Sequence, residues 1–292
     1  MCGEDLEQCD VGDDGLRGDR AFALRDEKAG EIRGAKRYPQ LMMCRARYAS
    51  EPAETGIAHA AIALPDGRTT RTDDPATARM ISEYLGREVT LHPRRPASDT
   101  SHYRRVQPGA SIAGVLARTP LLRKTMARLA TLGPGGRELR ADFGREAGEP
   151  MPDLSVFPAE LFEYVSPLGT YFDAYPIHVL TTATLAALRE KDPNSDWDAR
   201  RFRANFVVET DEALHGLVEA AWAGRELQIG ELRVRCTVAT PRCSMVMQAQ
   251  PELRKDAGVL RTIVRDAAQC VGVYASVTKP GRVTRGADVE LV

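Results

Sequence analysis

The chain has 292 residues, 43% hydrophobic and 28% charged, enough to bury a sizeable core and typical of a soluble globular protein. Forty basic against 41 acidic residues leave a formal charge of -1, so there is no global field to draw nucleic acid. No apolar run approaches the roughly 18 to 20 residues of a membrane span, and the acidic opening Met1-Cys2-Gly3-Glu4-Asp5 is unlike a secretory signal, so a cytoplasmic protein is expected.

In chain order, residues 16–92 read as short β segments with turn punctuation. These are Ala21 to Leu24, a turn through Gly30, Ile32, Leu41-Met42-Met43-Cys44, and Ala60 to Leu64 before Pro65-Asp66-Gly67. Ala78, Ile81 and Leu85 recur at helical spacing and predict one helix near residues 75–85. A boundary falls in residues 92–99. Beyond it, Thr119-Pro120 opens a helix with the apolar stripe Leu121, Leu122, Met126 and Leu129, which stops at Gly133-Pro134-Gly135-Gly136. Arg123, Lys124 and Arg128 on that helix read as a solvated face in preference to a contact with a membrane or an acidic partner. Residues 134–153 read as a flexible loop or insertion.

Order resumes at Phe157. Thr181 or Thr182 caps a helix carrying Leu185 and Leu188, residues 203–208 give a short strand containing Asn205, and Asp256 caps a helix with Leu260, Ile263 and Val264. The last segment is all β: residues 273–277, a Pro280-Gly281 turn, Val283, and Val289-Glu290-Leu291.

Six cysteines lie scattered with no CxxC, and the five histidines form no HExxH, which argues against a disulfide scaffold and a zinc hydrolase. No Walker A loop or GxGxxG is present. Cys243 is the informative thiol. Leu232, Val234, Cys236 and Val238 share one parity and Arg233, Arg235 and Thr237 the other, which predicts a half-buried strand. Pro241 ends that strand, leaving Cys243 on a loop beside Arg242. Such a thiol is either a structural cysteine or one that favours thiolate, the form that binds soft metals or attacks sulfur. Cys236 belongs to the core by parity.

Several segments in order resemble the two-domain MOSC superfamily, in particular the mitochondrial amidoxime reducing component and its bacterial relatives. They are residues 15–24, Arg37-Tyr38-Pro39-Gln40-Leu41, residues 173–182, Phe202-Arg203-Ala204-Asn205-Phe206, residues 222–230, Pro241-Arg242-Cys243, Gly272-Val273-Tyr274-Ala275 and a terminal hairpin over residues 281–291. The fourth departs from the family's F-R-P-N pattern by an alanine. The resemblance implies an α+β, predominantly β fold: an N-terminal β-barrel domain over residues 1–96, a helical or flexible insertion over 97–150, and a MOSC β-barrel domain with peripheral helices over 151–292. Relatives carry a first strand with a lysine-serine pair ahead of these residues, so either the natural protein starts upstream of Met1 or this chain has lost that strand.

The same resemblance implies a molybdenum cofactor between two domains, with Cys243 as the thiolate ligand to molybdenum. Arg20, Arg203 and Arg242 would hold anionic groups, Asn205 and Tyr274 would add neutral hydrogen bonds, and Asp173 and Thr182 are further cofactor-binding candidates. The activity implied is reduction of N-hydroxylated or N-oxide small molecules. No haem, iron–sulfur or flavin signature accompanies it, so electrons are expected from a separate reductase or ferredoxin-like partner. The alternatives are a sulfur or cofactor carrier using Cys243 as a persulfide or holding thiol, and a β-rich contact module.

Overall fold

The alternating run that marked Cys243's neighbourhood does form a strand, Leu232–Pro241, with Leu232, Val234 and Cys236 buried and Arg235 and Thr237 exposed. A computed structural model of the protein describes residues 1–53, 56–106, 110–132 and 136–292. Two units emerge: Met1–Cys2 with Arg20–Ala174, and Gly3–Asp19 with Tyr175–Val292. The segment read as an insertion, residues 97–150, belongs to the first.

The second unit is built on a six-stranded sheet ordered Phe206–Val208, Ile177–Thr181, Cys270–Lys279, Leu232–Pro241, Glu226–Ile229 and Val289–Leu291, curled as a half-barrel. Phe206–Val208 runs parallel to Ile177–Thr181 and the other pairs are antiparallel. A smaller sheet pairs Gly281–Thr284 with Gln8–Gly12 and that with Gly15–Leu16. Its Val11 and Val283 join the core of Ile177, Val179, Leu227, Leu232, Val234 and Val273.

Helices Thr182–Lys191 and Ala257–Asp266 pack a second core of Leu180, Leu188, Val259, Leu260 and Ile263. Each fully buried aliphatic side chain contributes about 1.5–3 kcal/mol. Both helices start at the capping residues the sequence offered. Thr181 accepts from the Thr184 amide at 3.1 Å and Asp256 from the Gly258 amide at 2.9 Å, satisfying donors a helix cannot pair internally.

The first unit has two three-stranded antiparallel sheets, Glu31–Ile32/Phe22–Asp26/Val89–Pro93 and Arg45–Tyr48/Ala60–Ala63/Thr69–Arg71. With helix Thr77–Leu85 they enclose Leu24, Tyr38, Leu41, Ile62, Ile81 and Val89. Four further helices follow: Thr100–Tyr103, Ala110–Ala117, Pro120–Leu132 and Gly136–Asp142. The fold is α+β throughout, as the resemblance implied.

Five local expectations are corrected. Residues Pro39–Met43 form a 3-10 helix, because Pro39 presets the first turn and Leu41 and Met42 are buried consecutively, which strand alternation forbids. Helix Gly136–Asp142 lies inside the expected loop, carried by the helix formers Arg137, Glu138, Leu139, Arg140 and Ala141. The strand after Asn205 starts only at Phe206, since Arg203 is left-handed with φ 53° and ends a 3-10 turn.

Strands Gly281–Thr284 and Val289–Leu291 do not pair as a hairpin. They join Gln8–Gly12 and Glu226–Ile229 in different sheets. Gly281 passes so near Glu231 that a Cβ there would lie 2.6 Å from its carbonyl carbon. Last, the stripe on Pro120–Leu132 does not face a core: Leu121, Leu122 and Leu129 are exposed and Ala127 is the buried residue. The glycine-proline stop expected at 133–135 lies outside the described residues. Among those residues, no helix is long and apolar enough to cross a membrane.

Candidate functional site

In the second unit the site is organised by a histidine. Ile177–Thr181 is buried along its whole length, and His178 faces Tyr274 of Cys270–Lys279 in register. Its backbone is clasped by Asn205. The His178 amide donates to Asn205 Oδ1 at 2.9 Å, and the Asn205 amide donates to the His178 carbonyl at 2.9 Å. Asn205 Nδ2 in turn donates to Asp19 Oδ2 at 3.1 Å, tying in the segment that precedes Arg20.

Arg242 is buried at the end of Leu232–Pro241. Its Nη2 donates to the Phe202 carbonyl at 2.9 Å, and the guanidinium carbon lies 5.4 Å from the Phe202 ring centroid, within cation–π range. Its Nη1 stands 3.4 Å from His178 Nε2, which is also 3.4 Å from the Val271 carbonyl. Guanidinium only donates and a carbonyl only accepts, so the imidazole nitrogen satisfies one neighbour in each protonation state. The ring fits because residue 272 is glycine. With φ +85°, a Cβ there would fall 2.1 Å from His178 Nε2. Tyr274 lies 5.7 Å from the His178 ring and 5.5 Å from Tyr175, forming an aromatic strip.

Cys243 follows Arg242 directly, in extended backbone capping the 3-10 turn Ser244–Met247. It is half-buried, whereas Cys44 and Cys236 are enclosed. Burial pushes the Cys236 thiol up to about 11, so it keeps its proton at neutral pH. Of the two thiols on and just past this strand, Cys243 is the one within reach of solvent.

The other sequence-derived candidates fall in both units. Arg203 caps the turn beside Phe202, adjoining the Arg242 contact. Thr182 accepts from the Thr210 amide at 3.0 Å and fastens the loop after Phe206–Val208. It is the first residue of helix Thr182–Lys191, just past the strand that carries His178. Arg20 and Asp173 belong to the first unit. There Arg20, left-handed at φ 47°, lies 5.9 Å from the Phe172 ring centroid, and Asp173 pairs with Lys36 at 3.5 Å. His178 itself escaped sequence reasoning. Its signal was a lone imidazole inside the apolar run Ile177-His178-Val179-Leu180, where burial demands a partner.

Residues 169–290 match the model of the MOSC domain. The chain carries a MOSC domain. MOSC domains are associated with the C-terminal domains of molybdenum-cofactor sulfurases and with binding of that cofactor. Solved structures similar to the MOSC-bearing chain include YiiM from Geobacillus stearothermophilus, 18% identical over 40% of this chain and 54% of that one, with a TM-score of 0.30. YuaD from Bacillus subtilis is 16% identical over 41% and 65%, TM-score 0.34, and YiiM from Escherichia coli 16% identical over 44% and 59%, TM-score 0.32. The chain thus spans between about half and two thirds of these proteins' length. No curated protein matches it.

Proposed function

We propose that the MOSC domain binds a pyranopterin molybdenum cofactor with Cys243 as the protein's ligand to the metal, and that the chain reduces N-hydroxylated or N-oxide small molecules. The observation that carries this reading is the half-buried thiol of Cys243 placed directly after a buried, fixed guanidinium. A cysteine sulfur is the soft ligand molybdenum takes from a side chain. The donor set fits a metal that brings its own ligands: among the described residues no group of three His, Cys, Asp or Glu side chains gathers to cage one.

Arg242 and Arg203 would supply cationic contacts for the cofactor's anionic groups, with Asn205 and Tyr274 as neutral partners. When bound, the cofactor would supply the two-electron chemistry of the reduction. The protein's part would be to hold Cys243 just past the end of its strand, fix Arg242 against Phe202, and steady the His178 strand through the Asn205 clasp. Electrons would come from a separate reductase or ferredoxin-like protein.

The test is metal and pterin analysis of the protein purified from a cofactor-competent host, beside Cys243→Ser and Cys236→Ala. Near-stoichiometric molybdenum in wild type and Cys236→Ala, with loss in Cys243→Ser, is expected. Full occupancy in Cys243→Ser overturns the ligand assignment. Sulfane sulfur on Cys243 without molybdenum would replace the reductase with a sulfur carrier.

A further inference from the structure

The helical pair of the first unit presents an apolar surface that its own packing does not use. Ala110–Ala117 docks through Ala110, Gly114 and Ala117, and exposes Ile112, Val115 and Leu116. The approach is close: a Cβ at Gly114 would meet Glu163 Cβ at 2.6 Å. Pro120–Leu132 docks through Ala127, while Leu121 and Leu132 are 88% and 82% exposed, with Leu122 and Leu129 also exposed. At 100° per residue, Leu121, Leu132, Leu129 and Leu122 fall within an arc of about 100°, and Ala127 lies opposite it. Lys124 and Arg128, both exposed, border one side of the arc within the next roughly 60°.

The sequence of this helical pair is basic, with Arg104 and Arg118 paired to Glu163, and Asp153 within electrostatic reach of Lys124 and Arg128. From residue 100 to residue 137 the sequence holds Arg104, Arg105, Arg118, Arg123, Lys124, Arg128 and Arg137 and no Asp or Glu, in a chain with 41 acidic residues. A helix with a leucine arc bordered by basic residues is the pattern that lies in the headgroup region of an anionic bilayer, apolar side down and cations at the phosphates. A second copy is the poorer occupant, because joining two such faces brings Lys124 and Arg128 together with their own kind.

We propose that helices Ala110–Ala117 and Pro120–Leu132 dock the chain reversibly on an anionic phospholipid surface, with Leu121, Leu129 and Leu132 entering the acyl boundary and Lys124 and Arg128 meeting headgroup phosphates. The surface binds lipid without spanning it.

The experiment is flotation of the full chain with phosphatidylcholine vesicles, with and without phosphatidylserine, at low and high salt. The expected result is co-flotation with phosphatidylserine vesicles that weakens with salt. Leu121→Gln/Leu129→Gln/Leu132→Gln should abolish it, and Lys124→Glu/Arg128→Glu should lower the partition coefficient by about 30-fold or more. Circular dichroism should show all of these exposed-site variants folded. Absence of wild-type binding to phosphatidylserine vesicles, or undiminished binding of the leucine variant, overturns the proposal. So does a wild-type dimer in sedimentation that the leucine variant dissolves, or tight binding to an acidic protein with none to vesicles.

Discussion

Gly272→Ala tests whether the His178 site rests on close packing. The position has φ +85°, where a residue bearing a Cβ costs about 1–2 kcal/mol. The new methyl would also stand 2.1 Å from His178 Nε2 and 2.8 Å from the Val179 carbonyl, both held in a central buried strand. Overpacking of that kind costs about 1–3 kcal/mol. The sum, about 2–5 kcal/mol, corresponds to a fall in Tm of roughly 5–15 °C for a chain of this size. Thermal and urea unfolding by circular dichroism read it directly. A coupling control separates the two contributions: in a His178→Ala background the methyl loses its nearest clash, so the second substitution should cost about 1–2 kcal/mol less there. A Gly272→Ala protein melting with wild type, or an equal cost with and without His178, refutes the packing argument.

Three more outcomes are expected. Thr181→Ala should destabilise by about 1–3 kcal/mol in urea unfolding, since the hydroxyl both caps Thr182–Lys191 and donates to buried Glu219 at 2.7 Å. Asp26→Asn probes pH. Burial alone would raise the Asp26 carboxyl, but the Tyr38 hydroxyl, the Ala29 amide and Arg33 outweigh it and hold its pKa below the ordinary 3.8. A depressed folded pKa gives stability that is present above the unfolded value and lost as pH falls through the folded one. The variant should therefore be about 1–3 kcal/mol less stable than wild type at neutral pH, with the gap closing below pH 3.8 when unfolding is measured across that range. Cys236→Ser should lower stability by about 1–3 kcal/mol, through a hydroxyl placed in an apolar core, and leave the metal content of the protein unchanged.

Much of the second unit was legible because local signals and packing agree there. Thr181 and Asp256 cap the helices they precede, Pro241 ends its strand, and Cys236 follows its parity into the core. What the sequence concealed depends on distant pairing. Nothing near residue 281 says that its strand partners Gln8–Gly12, and nothing near His178 says that Arg242 and Gly272 will adjoin it. The leucine stripe misled for a related reason: periodicity reports an apolar face but not what covers it, and small residues on the opposite side did the docking.

The pairing of Gln8–Gly12 with Gly281–Thr284 has a consequence for biogenesis. Asp10 receives Arg282 from 272 residues downstream. On the ribosome, strand Gln8–Gly12 must therefore wait with one edge unsatisfied until residues 281–284 have been made. A fragment starting at Tyr175 would lack the strand that shields Val283, and adding back a peptide of residues 3–19 should rescue its solubility.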